Sequence, residues 1–182
     1  MNTIKGLVIL TRFDYIEQNY DRQQLVEFID ALQVEEKNQL IQPIIISKDY
    51  RAAFLTAIDE KMLHEFFEED ESRFLEVGIW NAHKLLPRYS QLYIDHRNPG
   101  GFLRQMGHLR KMLIGPGMME VREIDSKIFR INIDYGLTYS ESVRLSEMGV
   151  LQEGCRMCGA DGVEMNILSQ DGVFVEYEVS WD

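Results

Sequence analysis

The sequence predicts an α+β fold: an N-terminal helical bundle followed by a β-β-α-β-β antiparallel sheet unit. Three observations carry that expectation. Apolar residues recur at helical spacing through the first two thirds of the chain, and Gly115-Pro116-Gly117 interrupts that pattern. Beyond it, apolar and polar residues alternate in two pairs of short runs, each pair joined by turn residues.

Residues 5–20 place Ile9, Phe13, Ile16 and Tyr20 on one helical face. Asp21 reads as an N-cap with Gln24 three residues on, and Leu25, Phe28, Ile29 and Leu32 line the helix that follows. A shorter helix is expected over residues 35–42, ending before Pro43. Ile44, Ile45 and Ile46 read as a buried linker, after which Ser47 caps a helix carrying Tyr50, Phe54, Ala57 and Ile58. Past the acidic residues 65–71, a helix runs over 72–86 and stops at Pro87. The N-P-G-G of residues 98–101 reads as a loop. From it emerges a helix with Phe102, Met106, Leu109 and Leu113 on one face.

Met119, Val121 and Ile124, then Phe129, Ile131 and Ile133, predict two strands about a turn at residues 125–127. Thr138 with Glu141 is a capping box opening a helix to about Leu151. Residues 162–168 and 173–179 form a second hairpin around residues 169–172. Residues 1–182 are expected to form a single domain, helical over 1–115 and β-β-α-β-β over 116–182.

Composition narrows the function. With 19 Lys and Arg against 30 Asp and Glu the formal charge is −11, which repels phosphate backbones and anionic lipid. Nucleic acid and membrane are therefore not expected partners. No apolar run reaches the ~20 residues that span a bilayer, and Arg12 and Asp14 break the short run 7–10 before it could serve as a secretory signal. Two cysteines give no disulfide framework, so the expected compartment is the cytoplasm.

Cys155 and Cys158 form a lone C-x-x-C. That spacing suits half a zinc site or a redox pair, but no second pair completes a tetrahedron. They read as ordinary thiols between a helix and a strand, with zinc or redox chemistry as the alternative. His64, His83, His96 and His108 show no H-x-x-x-H or H-E-x-x-H spacing. The carboxylates Glu65, Glu68, Glu69, Asp70 and Glu71 lack calcium-loop spacing and read as a solvated face. There is no G-x-S-x-G, Walker or G-x-G-x-x-G motif, and no residue stands out as nucleophile or base. The protein is not expected to be an enzyme.

Seven of nine methionines lie at or beyond Met106, where they suit core packing or an adaptable apolar pocket. The last bundle helix and the first hairpin then nominate Phe102, Met106, His108, Leu109, Met112, Tyr135 and Tyr139 as pocket residues.

The C-terminal residues 170–181, Q-D-G-V-F-V-E-Y-E-V-S-W, resemble the closing strand of a bacterial family of uncharacterised proteins, best known from myxobacteria, that ends in a motif like G-D-P-x-C-E-F-E-V-x-W. The K-G-L-V of residues 5–8 and Gly117 ahead of Glu120-Val121 fit the same pattern. That family is similar to the vinyl-reductase small-molecule-binding domain, to TRAPP trafficking subunits and to the haem–nitric oxide/oxygen binding (H-NOX) fold. The resemblance implies a sensory or adaptor role, and it has departures. The cysteine position beside the closing strand is Val175, with Cys155 and Cys158 well upstream. H-NOX proteins pair a proximal His with a Y-x-S-x-R motif for the haem propionates. Here His108 and residues 135–139, Y-G-L-T-Y, supply the tyrosine without the Ser and Arg, although Arg144 follows in the next helix.

Together these point to a non-catalytic sensory or regulatory domain that binds a small apolar ligand or a partner protein, with no cofactor. The alternatives are a haem-binding gas sensor acting through His108 and a structural adaptor that forms homodimers.

Overall fold

A computed structural model describes residues 3–89, 97–115, 117–136 and 139–182. It is α+β, with seven α-helices among the described residues and two antiparallel sheets. The chain falls into two compact units: Met1–Glu71 with Leu113–Gly115, and Ser72–Met112 with Pro116–Asp182. No described helix is long and apolar enough to cross a membrane.

The first unit starts with strand β1 (Thr3–Lys5) and helices α1 (Gly6–Asn19), α2 (Arg22–Asp30) and α3 (Val34–Gln39). Strand β2 (Asp49–Arg51) pairs antiparallel with β1, and α4 (Ala52–Phe66) follows. Ile9, Ile16, Ile58 and Met62 are wholly buried, as the 3.6-residue period requires of the faces they share. The Asp21 carboxylate accepts from the Gln24 amide at 2.7 Å, the cap read from the sequence. Within this core the Arg12 guanidinium of α1 holds the Asp59 carboxylate of α4 through two bonds, 2.8 and 3.3 Å, both side chains being almost wholly buried. Paired in this fork geometry, the charges satisfy each other, and losing either one would strand the other in a low dielectric.

Two expectations fail here. Ile45 and Ile46 are 54% and 49% exposed, and Ile44 is only half-buried, so this linker is not in the core. Tyr50 lies in β2, before the helix. Residues 49–51 pair with β1, and the loop before them is tied to the start of α1 by the Gly6 and Leu7 amides, which donate to the Lys48 and Ile46 carbonyls. Helix α3 is also shorter than the expected 35–42, running from Val34 to Gln39.

In the second unit, α5 (Arg73–Leu85) runs into a 3-10 turn (Leu86–Tyr89), in which Pro87 cannot continue an α-helix. Helix α6 (Pro99–Leu113) begins inside the expected N-P-G-G loop. Asn98 accepts from the Gly101 amide at 2.8 Å, and Pro99 takes the first position, where its missing N–H costs nothing. Strands β3 (Met118–Asp125) and β4 (Ile128–Asp134), helix α7 (Glu141–Met157), and strands β5 (Glu164–Gln170) and β6 (Phe174–Ser180) complete the β-β-α-β-β order. The sheet order is β3-β4-β6-β5, antiparallel throughout. Phe129, Ile131 and Ile133 of β4 and Val175, Tyr177 and Val179 of β6 fill its inner face, each at most 1% exposed.

Helix α7 extends past Leu151 to Met157. Cys155 therefore sits in its last turn and Cys158 caps it, rather than both lying between elements. Thr138 of the expected capping box lies outside the described residues, and Ser140 stands at the N-cap. Helices α5 and α7 meet backbone to backbone through glycine. A Cβ on Gly149 would lie 2.3 Å from the Leu75 carbonyl oxygen, and one on Gly78 would lie 2.1 Å from that of Ser146.

Candidate functional site

Helix α6 organises the second unit's polar core. At 100° per residue, Phe102, Leu103, Met106, Leu109 and Arg110 share one side, and all five are buried. Arg104, Gln105, His108, Lys111 and Met112 occupy the other and are exposed. The nominated residues therefore divide. Phe102, Met106, Leu109 and Tyr135 are 2–6% exposed, Tyr139 is half-buried, and His108 and Met112 are exposed, Met112 at 51%. The Phe102 ring packs against α7 so closely that a Cβ on Gly154 would fall 1.9 Å from it.

Beside this apolar stripe lies a charged cluster. Arg110 Nε donates to Glu147 Oε1 at 2.6 Å, and the Tyr135 hydroxyl donates to Glu147 Oε2 at 2.8 Å. The Arg110 guanidinium carbon lies 4.8 Å from the centre of the Tyr135 ring, within cation–π range. One carboxylate thus joins α6, α7 and the residue that follows β4. Burial, then the Glu147 charge, hold the Tyr135 phenol well above its ordinary pKa, so it stays a hydrogen-bond donor at neutral pH. The Tyr139 ring stacks on Tyr135 at 4.2 Å, and its hydroxyl donates to the Asp171 carbonyl at 3.1 Å.

Arg144 extends the cluster on the next turn of α7. Its Nε donates to Glu141 at 2.7 Å, and a second guanidinium nitrogen binds the same carboxylate. Arg144 is 5% exposed, and the Tyr177 hydroxyl neighbours it electrostatically without a well-formed hydrogen bond. Burial pushes the Tyr177 phenol up to about 12. Two cations, Arg110 and Arg144, meet two carboxylates, Glu141 and Glu147. Among the described residues, Arg110 Nη2, Arg144 Nη1 and the Tyr177 hydroxyl meet no partner at normal hydrogen-bond geometry, although Tyr177 and Arg144 face each other.

The charges of this cluster are paired with one another. The buried phenols stay protonated, and burial raises the Cys155 thiol as well, which removes the thiolate that nucleophilic chemistry needs. His64 is exposed and lies 2.7 Å from Glu69, and His83 lies 3.0 Å from Glu153. His96 is outside the described residues. No group of three or more His, Cys, Asp or Glu suited to a metal occurs among the described residues.

Sequence reasoning missed Arg110 and Glu147. The available signal for Arg110 was a charge inside an otherwise apolar helical stripe, beside Met106 and Leu109; Glu147, three residues past the charged Arg144, carried no such signal. Such charges are rarely buried unless paired.

No family model matches the sequence, and no curated protein matches it. Solved structures do match over almost the whole chain. A Cs H-NOX variant carrying 4-cyano-L-phenylalanine superposes with a TM-score of 0.76 at 14% identity, covering 98% of this chain and 97% of that one. An Fe(II) unliganded H-NOX variant from K. algicida gives 0.75 at 13%, covering 98% and 97%. A T. tengcongensis H-NOX variant gives 0.71 at 13%, covering 98% of both. The chain has an H-NOX-like fold. None of these matches extends the resemblance to the myxobacterial, vinyl-reductase or TRAPP proteins.

Proposed function

We propose that this protein is a non-catalytic, cytoplasmic sensory domain that binds a small apolar ligand beside Phe102, Met106 and Leu109 and reports occupancy through Glu147. The observation that carries this reading is the single buried carboxylate that Arg110 and Tyr135 share, on the same side of α6 as the apolar stripe. A ligand that moved α6 by a fraction of an ångström would disturb a hydrogen-bonded ion pair that tolerates little misalignment in a low dielectric. The H-NOX-like fold supports a sensory role.

Structures in that family have been studied for haem distortion, which raises haem as the ligand. Haem iron needs an axial side chain such as histidine. His108 stands on the side of α6 opposite its buried stripe, and no described histidine is buried. The described residues do not fit a haem held through His108.

Native mass spectrometry and an absorption spectrum of freshly purified protein test the proposal. The expected result is a retained small molecule, no Soret band, and reduced retention in Met106→Ala. A Soret band lost in His108→Ala would replace the reading with a haem sensor. A ligand-free dimer would replace it with a structural adaptor.

A further inference from the structure

We propose that the groove between α3 and α4 binds a small aliphatic amine through the carboxylates of Glu36 and Glu60. The groove lies wholly in the first unit, so its occupant is tested apart from any ligand of the second. Helix α2 ends at Asp30, and Leu32, 6% exposed, anchors the turn that leads into α3. The side chains around that anchor are small. Ala31 at the end of α2 and Ala57 on α4 carry only methyl groups, and a groove of about 380 Å³ remains between the helices. That volume is in the range of small-molecule sites.

Charge selects the occupant. Glu36 enters from the first turn of α3, which the Lys37 amide closes on the Gln33 carbonyl at 2.9 Å. Glu60 enters from α4, three residues past Ala57 and so on the same face. Glu36 Oε2 is buried and accepts no hydrogen bond, so it has lost water without gaining a donor. Among the described residues neither Glu36 nor Glu60 forms an ion pair. Lys61 is the one cation bordering the groove among the described residues, and it is engaged elsewhere. Glu65 binds its ammonium group, which also lies 5.5 Å from the centre of the Phe28 ring. Arg51 borders a smaller groove of about 100 Å³ that Glu36 also borders, and no ion pair joins the two.

Two uncompensated carboxylates thus stand beside methyl and methylene surface. A primary ammonium offers three donors for charge-assisted bonds to them, and a short alkyl chain covers Ala31, Leu32 and Ala57. Hard divalent cations need six or more oxygens, and among the described residues no three His, Cys, Asp or Glu gather to hold one. An anion would be repelled.

The test titrates the full chain with putrescine by calorimetry. Butanediol serves as its uncharged counterpart, magnesium as a divalent ion, and acetyl-lysine methylamide as the ammonium of a protein side chain. Expected are a single saturable site for putrescine that weakens with added salt, no heat from the diol, and a roughly tenfold loss in Glu36→Gln. Glu60→Gln should weaken binding as well. Glu36 Oε2 has no partner to lose, so Glu36→Gln should melt like the parent. Glu71→Gln, which removes a carboxylate outside the groove, should bind like the parent. Putrescine affinity that Glu36→Gln leaves unchanged would overturn the proposal. Equal loss in Glu71→Gln would also overturn it, because the net charge of −11 would then be attracting the amine diffusely. So would displacement of putrescine by equimolar magnesium, or tighter binding of the lysine derivative, which would assign the groove to a partner protein's side chain.

Discussion

Glu147→Gln is expected to destabilise the protein by about 3–5 kcal/mol, the range for removing one partner of a buried ion pair. The substitution keeps the shape and leaves an acceptor for the Tyr135 hydroxyl. What it removes is the charge that compensates Arg110, which is 3% exposed and cannot turn to water. Denaturant unfolding monitored by circular dichroism checks this, with the midpoint falling and the slope unchanged. The double variant Arg110→Met/Glu147→Leu should recover most of the loss, because it strands no charge. Loss below about 1 kcal/mol in the single variant would mean that Arg110 is solvated, as an exposed pair would be.

Gly149→Ala is the second large effect. Alanine ordinarily stabilises a helix interior by about 1 kcal/mol over glycine. At this position the added methyl would sit 2.3 Å from the Leu75 carbonyl oxygen, 2.9 Å from the Ile79 nitrogen and 3.0 Å from the Gly78 Cα. All three are backbone atoms, so no rotamer change relieves the overlap. Helices α5 and α7 must move apart, and a net loss of about 3 kcal/mol is expected, the upper end for overpacking. Gly172→Ala is the control, since nothing lies within 4 Å of its Cβ position, and its melt should match the parent's. A stabilised Gly149→Ala would show that the two helices are not in backbone contact.

Local patterning made the main elements legible. The stripe of α6 follows from Phe102, Met106 and Leu109, and the alternation in β4 and β6 places Ile131, Ile133, Val175 and Val179 on the inner face. What escaped was non-local. Strands β1 and β2 have three residues each, too few to display alternation, and they meet across a long sequence separation. That pairing is also what places Tyr50 in a strand ahead of the helix. Arg12 and Asp59 lie 47 residues apart, and Arg110 and Glu147 lie 37 apart. No local pattern announces such partners. Four of the seven nominated pocket residues, Phe102, Met106, Leu109 and Tyr135, belong to the buried core because apolar spacing marks burial. His108 was nominated for its chemistry, and it lies two residues past Met106 on α6, which carries it round to the exposed side.

Amide hydrogen exchange of the purified protein, before and after the co-purifying molecule is stripped, tests the sensory reading most directly. If occupancy is reported through Glu147, stripping should accelerate exchange in α6 and α7 around Arg110 and Glu147 while α1 and α4 keep their protection. Glu147→Gln should exchange at the faster rate whether loaded or stripped. Identical exchange in α6 and α7 with and without the molecule would contradict the account.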